Sequence, residues 1–353
     1  NEALKKEIME KEFVLKCFDK ETSLYFTRDC DGLKNYLLNL NSFVIVADEN
    51  TSYLSPFPDK TIVLKSGEEN KKWESIDKIL SFALENELAR DSYFIALGGG
   101  VICDMTSLAA SLYMRGARLC LYPTTLLCMV DATLGGKTAI DYNGLKNLVG
   151  TFYPADDIII NINTLSSLSD REFLSGMGEV VKHALLADND ELYNILINEN
   201  ERILSRNVDE LEKIVKLSLY VKKSYIERDP REEKGIRSAL NFGHTFGHAL
   251  ESITSYSVSH GEAVVWGMKK ALTAGLLLGV TNEEFYLYAI NLISSYPFSA
   301  NEKVRKSDYM AFLDATKKDK KKKGGKTRFV LLSELGKPVL ETLTDEQVLA
   351  LLV

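Results

Sequence analysis

Histidine is scarce in this chain and unevenly placed. All four (His183, His244, His248 and His260) lie in the second half, three of them between residues 244 and 260. In NFGHTFGHALE, from Asn241 to Glu251, His244 and His248 stand four residues apart and would share one face of a helix. His260 follows after a short SVSHGE turn. Imidazoles grouped in this way suit a divalent cation of the zinc type. Glu179, in GMGEVVKHALL, offers a carboxylate, and Lys182 sits three residues later on the same face. Two imidazoles and one carboxylate would leave coordination positions open for substrate oxygens, as a catalytic metal requires. The competing reading is a pair of core histidines satisfied by backbone carbonyls, and the crowding of so rare a residue type favours the metal. His183 points about 100° from Lys182 around a helix, so it is assigned a core or solvent-facing place rather than a ligand's.

Two glycine-rich runs suit anions. Gly98-Gly99-Gly100 ends an apolar strand and opens a helix, which would aim backbone N–H groups at a diphosphate. The run is not a GxGxxG fingerprint, and three glycines after a strand also serve as a plain tight turn. Asp48, at another strand end, and SGEENK (Ser66 to Lys71) suit adenosine and ribose contacts, or simple capping and turn formation. The second run, Pro123 to Asp141 followed by Gly144 to Gly150, brings Asp131, Lys137, Lys146 and Asn147 close in sequence. Its Gly-Gly-Lys-Thr is like the tail of a P-loop, but Asp131 stands where that motif needs its first glycine, which excludes the P-loop. The lysines still suit phosphate as compact point charges; otherwise they are exposed loop lysines.

The elements that must position these groups change character along the chain. Ser42 to Asp48, Lys60 to Ser66, Ser92 to Gly100, Ala117 to Pro123 and Asp156 to Asn161 read as short β-branched strands. They alternate with amphipathic stretches such as Lys71 to Leu88, where Trp73, Ile76, Ile79, Leu80, Ala83 and Leu84 share a face. That alternation predicts an α/β domain with a largely parallel sheet over residues 1–164. Residues 165–353 predict a mainly α-helical domain, with helices over Leu192 to Leu204, Val208 to Ile226 and Ser238 to Ser252. The exception is Thr327 to Leu332, a hairpin arm or an added strand. Two domains are what 353 residues imply, because one core stops growing below that size.

Composition removes several function classes. With 45% hydrophobic and 26% charged residues the chain has the balance of a globular protein. A net charge of −7 gives no field to hold a nucleic-acid backbone, so an anionic ligand must be met locally. Lys317 to Lys326 (KKDKKKKGGK) reads as a solvated loop, or as a basic lid closing over an anionic substrate. The five cysteines carry no CxxC spacing and read as buried, reduced thiols. Lys269 and Lys270 interrupt the most apolar helical stretch, Ala263 to Val280, and no charged-then-apolar leader opens the chain, so a cytoplasmic location is expected with no membrane partner.

Taken together, the motifs resemble those of the dehydroquinate synthases. They are GGGV at Gly98, YMRG at Tyr113, PTTLL at Pro123, VD-x5-GGKT from Val130, KNLVGTFYP from Lys146, GEVVK at Gly178, NFGHTFGHALE at Asn241, HGEAV at His260 and DKK at Asp319, spread in the family's order over nearly the whole chain. The resemblance implies a Rossmann-like N-terminal domain that binds NAD, a helical C-terminal domain that holds a divalent metal (zinc or cobalt), and an active site in the cleft between. It places the metal on Glu179, His244 and His260, and moves His248 from ligand to substrate side. By the same likeness Asp131, Lys137, Asn147, Lys182, Lys223, Arg237, Asn241 and Lys320 face substrate, and Arg115 reaches a phosphate in the partner subunit of a homodimer. Asp48, Glu68, Lys71, Gly99, Gly100, Asp104, Thr124, Thr125, Lys137, Lys146 and Ser167 match the NAD positions.

The chain departs from the family's usual residues at Cys103, Ser107, Ala132-Thr133 and Asp141, and the assignment of Lys223 rests on its spacing to Arg237. The reaction implied converts 3-deoxy-D-arabino-heptulosonate 7-phosphate to 3-dehydroquinate and phosphate. It runs through oxidation by NAD, phosphate loss, re-reduction, ring opening and aldol closure, with no net redox change. Related cyclases act on other sugars, but Asn241 directly before Phe-Gly-His, with HGEAV, favours the dehydroquinate branch. A metal-dependent polyol dehydrogenase of the same architecture is the rival from another class, and it would accumulate NADH.

Overall fold

Runs of apolar residues without polar alternation make strands that are buried on both faces, and these form the centre of the first half. The computed structural model describes residues 9–255, 257–299, 301, 303–318 and 327–352. It divides into two compact units, Asn1–Leu168 and Ser169–Val353. In the first unit the elements are β1 (Glu10–Cys17), β2 (Lys20–Thr27), α1 (Gly32–Leu37), β3 (Phe43–Asp48), β4 (Thr61–Leu64), α2 (Trp73–Glu85), β5 (Tyr93–Gly98), α3 (Gly100–Leu112), β6 (Arg118–Pro123), β7 (Ile140–Tyr142), β8 (Leu145–Val149) and β9 (Asp157–Asn161).

Seven of these strands make one sheet in the order β1-β2-β9-β6-β5-β3-β4. Every pairing from β2 onward is parallel, and β1 alone is antiparallel. The chain runs outward from β3 to β4, then returns on the other side of β3 to lay down β5 and β6. The order therefore reverses between β3 and β5, and in open parallel sheets the crevice at the carboxyl ends of such a pair is where nucleotides bind. Its sides are the end of β3, at Asp48, and the end of β5, at Gly98.

Several expectations need correction. The β1–β2 hairpin escaped the sequence reading because its turn at Phe18-Asp19 has neither glycine nor asparagine, although Phe18 adopts φ 58°. The small hairpin β7–β8 is turned by Asn143-Gly144 with φ 49° and 75°, the left-handed pair a two-residue hairpin needs. On α2 the buried stripe is Ile76, Ile79 and Ala83; Trp73 is 50% and Leu84 68% exposed. All five cysteines are free, but Cys30 is exposed rather than buried.

The second unit is helical: α4 (Asp170–Leu186), α5 (Glu191–Asn198), α6 (Asn200–Leu204), α7 (Val208–Arg228), α8 (His244–Ile253), α9 (His260–Leu277), α10 (Glu283–Ser294), α11 (Tyr309–Lys318) and α12 (Asp345–Ala350), with an antiparallel hairpin of β10 (Arg328–Glu334) and β11 (Lys337–Thr342). Thr327 to Leu332 is thus a hairpin arm. The stretch Leu192 to Leu204 is two helices, and Ser238 to Ser252 is a 3-10 turn (Arg237–Asn241) followed by α8, the break falling at Gly243 with φ 80°. Among the described residues no helix is long and apolar enough to cross a membrane.

Candidate metal centre and nucleotide crevice

Three helices of the second unit bring the candidate ligands together. Helix α4 starts from the Ser169 cap and is buried almost continuously from Phe173 to Leu186, so Glu179 and Lys182 are wholly enclosed. His244 and His260 are the first residues of α8 and α9, and a capping box between Ser259 and Glu262 fixes where α9 begins. Both imidazole Nε2 atoms point at one oxygen: His244 lies 3.5 Å and His260 3.6 Å from Glu179 Oε1. Lys182 Nζ contacts the other oxygen. Each ring is held from behind. His244 Nδ1 is 3.2 Å from the Phe242 carbonyl oxygen, and His260 Nδ1 is 3.4 Å from Glu251 Oε1. Holding Nδ1 as the N–H leaves Nε2 as the lone pair, which is the tautomer a metal ligand needs.

The electrostatics suit a cation. Burial alone would raise the Glu179 carboxyl, but Lys182 and the two imidazoles override it and hold the group well below the usual carboxylate range. Burial and the Lys182 charge push His244 well below its ordinary value, so it is neutral. Burial also disfavours charge on His260, but Glu179 and Glu251 outweigh it and push that ring up to about 10. A proton there is what a metal would displace. Neither Glu179 oxygen accepts a hydrogen bond of ordinary geometry among the described residues. A buried carboxylate faced by two Nε2 atoms, one of them giving up its proton when a metal enters, fits a cation bound by two nitrogens and one carboxylate with open positions.

The glycines of the motifs explain the convergence. A Cβ at Gly261 would overlap the Ser175 carbonyl oxygen on α4, and one at Gly178 would stand 2.6 Å from the Gly261 oxygen. Backbone therefore lies on backbone where α4 meets the start of α9, which sets Glu179 opposite His260. The Gly261 N–H donates to Ser175 Oγ at 3.1 Å across the same contact. Gly243 has a double requirement, a left-handed φ and a Cβ position 2.6 Å from the Val264 oxygen.

The remaining predicted residues of this unit are distributed unevenly. His248 is exposed, with its ring centroid 5.3 Å from that of His244 and 5.9 Å from that of His260. Asn241 is exposed at the end of the 3-10 turn, and Lys223 Nζ is 3.1 Å from Glu227 Oε1. Arg237 is buried and tightly held: its Nη1 donates to the Pro230 oxygen at 2.8 Å, and its backbone N–H to Asp229 Oδ2 at 3.2 Å. Glu233 and Lys234 N–H groups donate to the other Asp229 oxygen. Burial tends to raise the Asp229 carboxyl, and these backbone donors reverse the effect and lower it. Asp229 drew no attention in the sequence, since one aspartate in a charged loop carries no spacing signal. His183 is fully buried. Lys320 lies outside the described residues.

In the first unit the crevice side of the sheet gathers most of the predicted nucleotide residues. Gly99 caps α3, and a Cβ there would come within 3.1 Å of Thr125 Cγ2. Thr124 N–H donates to the Gly98 oxygen at 3.0 Å, tying the end of β6 to that of β5. The first amides of α3 have no acceptor within their own helix, so they are turned toward the crevice as donors. Lys71 is buried with Nζ 2.7 Å from Asp104 and 2.6 Å from Asn147 Oδ1, while Glu68 lies 4.0 Å from Lys71 and 3.9 Å from Lys146. Burial would lower the Lys71 ammonium, but Asp104 and Glu68 raise it, so it stays charged.

The β7–β8 hairpin places Lys146 and Asn147 here, and the Asn147 N–H donates to Asp141 Oδ1 at 2.8 Å. Asp48 Oδ1 accepts from Asn50 N and Thr51 Oγ1. Ser167 is exposed at the end of the 3-10 segment Ile162–Ser167, which follows directly on β9. Asp131 lies in a π-helical turn, Cys128–Ala132, and Lys137 is exposed beside the bridge to Phe152. Arg115 is exposed with φ 65°.

Solved structures show the fold. A 2-deoxy-scyllo-inosose synthase complexed with carbaglucose-6-phosphate, NAD+ and Co2+ superposes with a TM-score of 0.86 at 22% identity, covering 96% of this chain and 98% of that one. The 2-epi-5-epi-valiolone synthase of Streptomyces hygroscopicus subsp. jinggangensis, with NAD+ and Zn2+ bound, gives 0.84 at 23% identity over 96% and 97%. The fold is therefore that of the sugar-phosphate cyclases. Sequence is more specific: the 3-dehydroquinate synthase N-terminal model matches residues 61–175 and the C-terminal model residues 176–322. The 3-dehydroquinate synthase of Dictyoglomus turgidum is 39% identical over 296 residues, 83% of this chain and 82% of that protein. The chain belongs to the 3-dehydroquinate synthase family.

Proposed function

We propose that this chain catalyses conversion of 3-deoxy-D-arabino-heptulosonate 7-phosphate to 3-dehydroquinate and inorganic phosphate, with NAD and a divalent cation, zinc or cobalt, as cofactors. The observation that supports it most is the pair of imidazole Nε2 atoms aimed at one oxygen of a buried carboxylate. When bound, the cation supplies Lewis acidity and NAD supplies reversible hydride acceptance. Glu179, His244 and His260 hold the cation, with both rings neutral. Gly99 and Gly100 at the start of α3, with Thr124 and Thr125, take the diphosphate of NAD. Asp48, Glu68, Lys71, Asp104, Lys146 and Ser167 orient its nucleosides.

Lys182, Lys223, Arg237, Asn241 and His248, with Asp131, Lys137, Asn147 and Lys320, bind the carboxylate, hydroxyls and phosphate of the substrate. Charge grows on the leaving phosphate, and fixed cations aimed there stabilise it more in the transition state than in the ground state. Arg237 is suited to this because the Asp229 loop fixes it before substrate arrives, so little ordering remains to be done. We also infer a cytoplasmic homodimer in which Arg115, exposed in a strained turn, reaches the phosphate bound by the partner.

Phosphate release from the heptulosonate phosphate tests the reading. With NAD and zinc, phosphate should appear without accumulating NADH. Stripping the metal should abolish release, and zinc or cobalt should restore it. Stoichiometric NADH without phosphate would instead mark a polyol dehydrogenase.

A further inference from the structure

We propose that Glu251 is a positioning residue for the metal centre: its carboxylate takes the Nδ1–H of His260 and so turns the Nε2 lone pair of that ring toward the cation. The inference rests on the reading that Glu179, His244 and His260 hold that cation. Glu251 is buried and its Oε1 lies 3.4 Å from His260 Nδ1. It occupies the same face of α8 as His244 and His248, because offsets of four and seven residues return to one side of a helix. Helix α8 thus supplies one ligand at its first residue and, two turns on, holds the ligand of α9.

The two rings are supported unequally. His244 Nδ1 meets a neutral backbone oxygen, that of Phe242, whereas His260 Nδ1 meets a charged one. A carboxylate behind a ligating imidazole raises its basicity and locks its orientation, and loss of such a partner weakens metal binding about 10–100-fold. His260 is accordingly the ring whose hold depends on a side chain. The same groups admit one other arrangement, since donor atoms of His248, Glu251 and His260 also lie within 4.8 Å of one another and would suit a second cation.

Zinc titration of the full chain against a competing chromophoric chelator separates these outcomes, run beside the visible spectrum of the cobalt-loaded protein. Wild type should bind one zinc, and His260→Ala should lose it. Glu251→Ala should bind zinc about 10–100-fold more weakly. Glu251→Gln, which keeps the shape and an acceptor oxygen, should lie between the two and shift the cobalt bands. If Glu251 only pins α8 to α9, both variants will melt lower with zinc affinity and cobalt spectrum unchanged, and the inference is wrong. Two zincs in wild type and one in Glu251→Gln would make Glu251 a ligand and overturn it. Zinc retained by His260→Ala would remove the underlying metal reading instead.

Discussion

Gly261→Ala is expected to separate α4 from α9 and cost the protein stability and metal together. The new methyl group has nowhere to go, because what it meets is the Ser175 main chain rather than a side chain that could turn away. Overpacking a core costs about 1–3 kcal/mol when neighbours adjust, and with backbone on both sides the loss should reach at least the upper end of that range. Glu179 and His260 sit on the two helices being pushed apart, and misplacement by about 1 Å is enough to lower a catalytic rate about 100-fold. Denaturant unfolding with and without zinc checks this: the variant should lose stability and most of the zinc-induced increment. Wild-type stability with an unchanged zinc increment would show that the close approach is not what assembles the centre.

Glu179→Gln is expected to have the larger effect on metal. It preserves volume but removes the one carboxylate of the set, so zinc affinity should fall beyond the roughly 100-fold that loss of an outer partner causes. It also strands the Lys182 ammonium, which is buried against that carboxylate. Breaking a buried pair from one side costs about 3–5 kcal/mol. Adding Lys182→Met should return much of the stability by removing the stranded charge and should return none of the metal. If the double variant regained zinc, Glu179 would be serving the fold and not the cation.

The residues of the candidate centre were readable because scarce histidines recur in motifs, and the α/β half because its central strands are continuous apolar runs. What sequence did not convey was how the pieces approach. Nothing in HGEAV announces that its glycine lies against the Ser175 main chain, since that contact joins residues far apart in the chain. The break at Gly243 has a similar origin, because the packing of α8 on α9 is what demands a left-handed residue there. Two local signals were present but unread. Ser259-x-x-Glu262 is a capping box that marks the first turn of α9, and Asn143-Gly144 is the commonest hairpin turn. Glu251 gave no signal of its own, because only the fold reveals which ring it stands behind.

The most direct test of the metal centre is X-ray absorption at the zinc edge of the loaded protein, in wild type and in His260→Ala. Two imidazole nitrogens at about 2.0–2.1 Å with light oxygen neighbours are predicted for wild type, and one imidazole fewer, or no bound zinc, for the variant. A sulfur shell near 2.3 Å, or an imidazole count that His260→Ala leaves unchanged, would place the cation elsewhere and contradict the account.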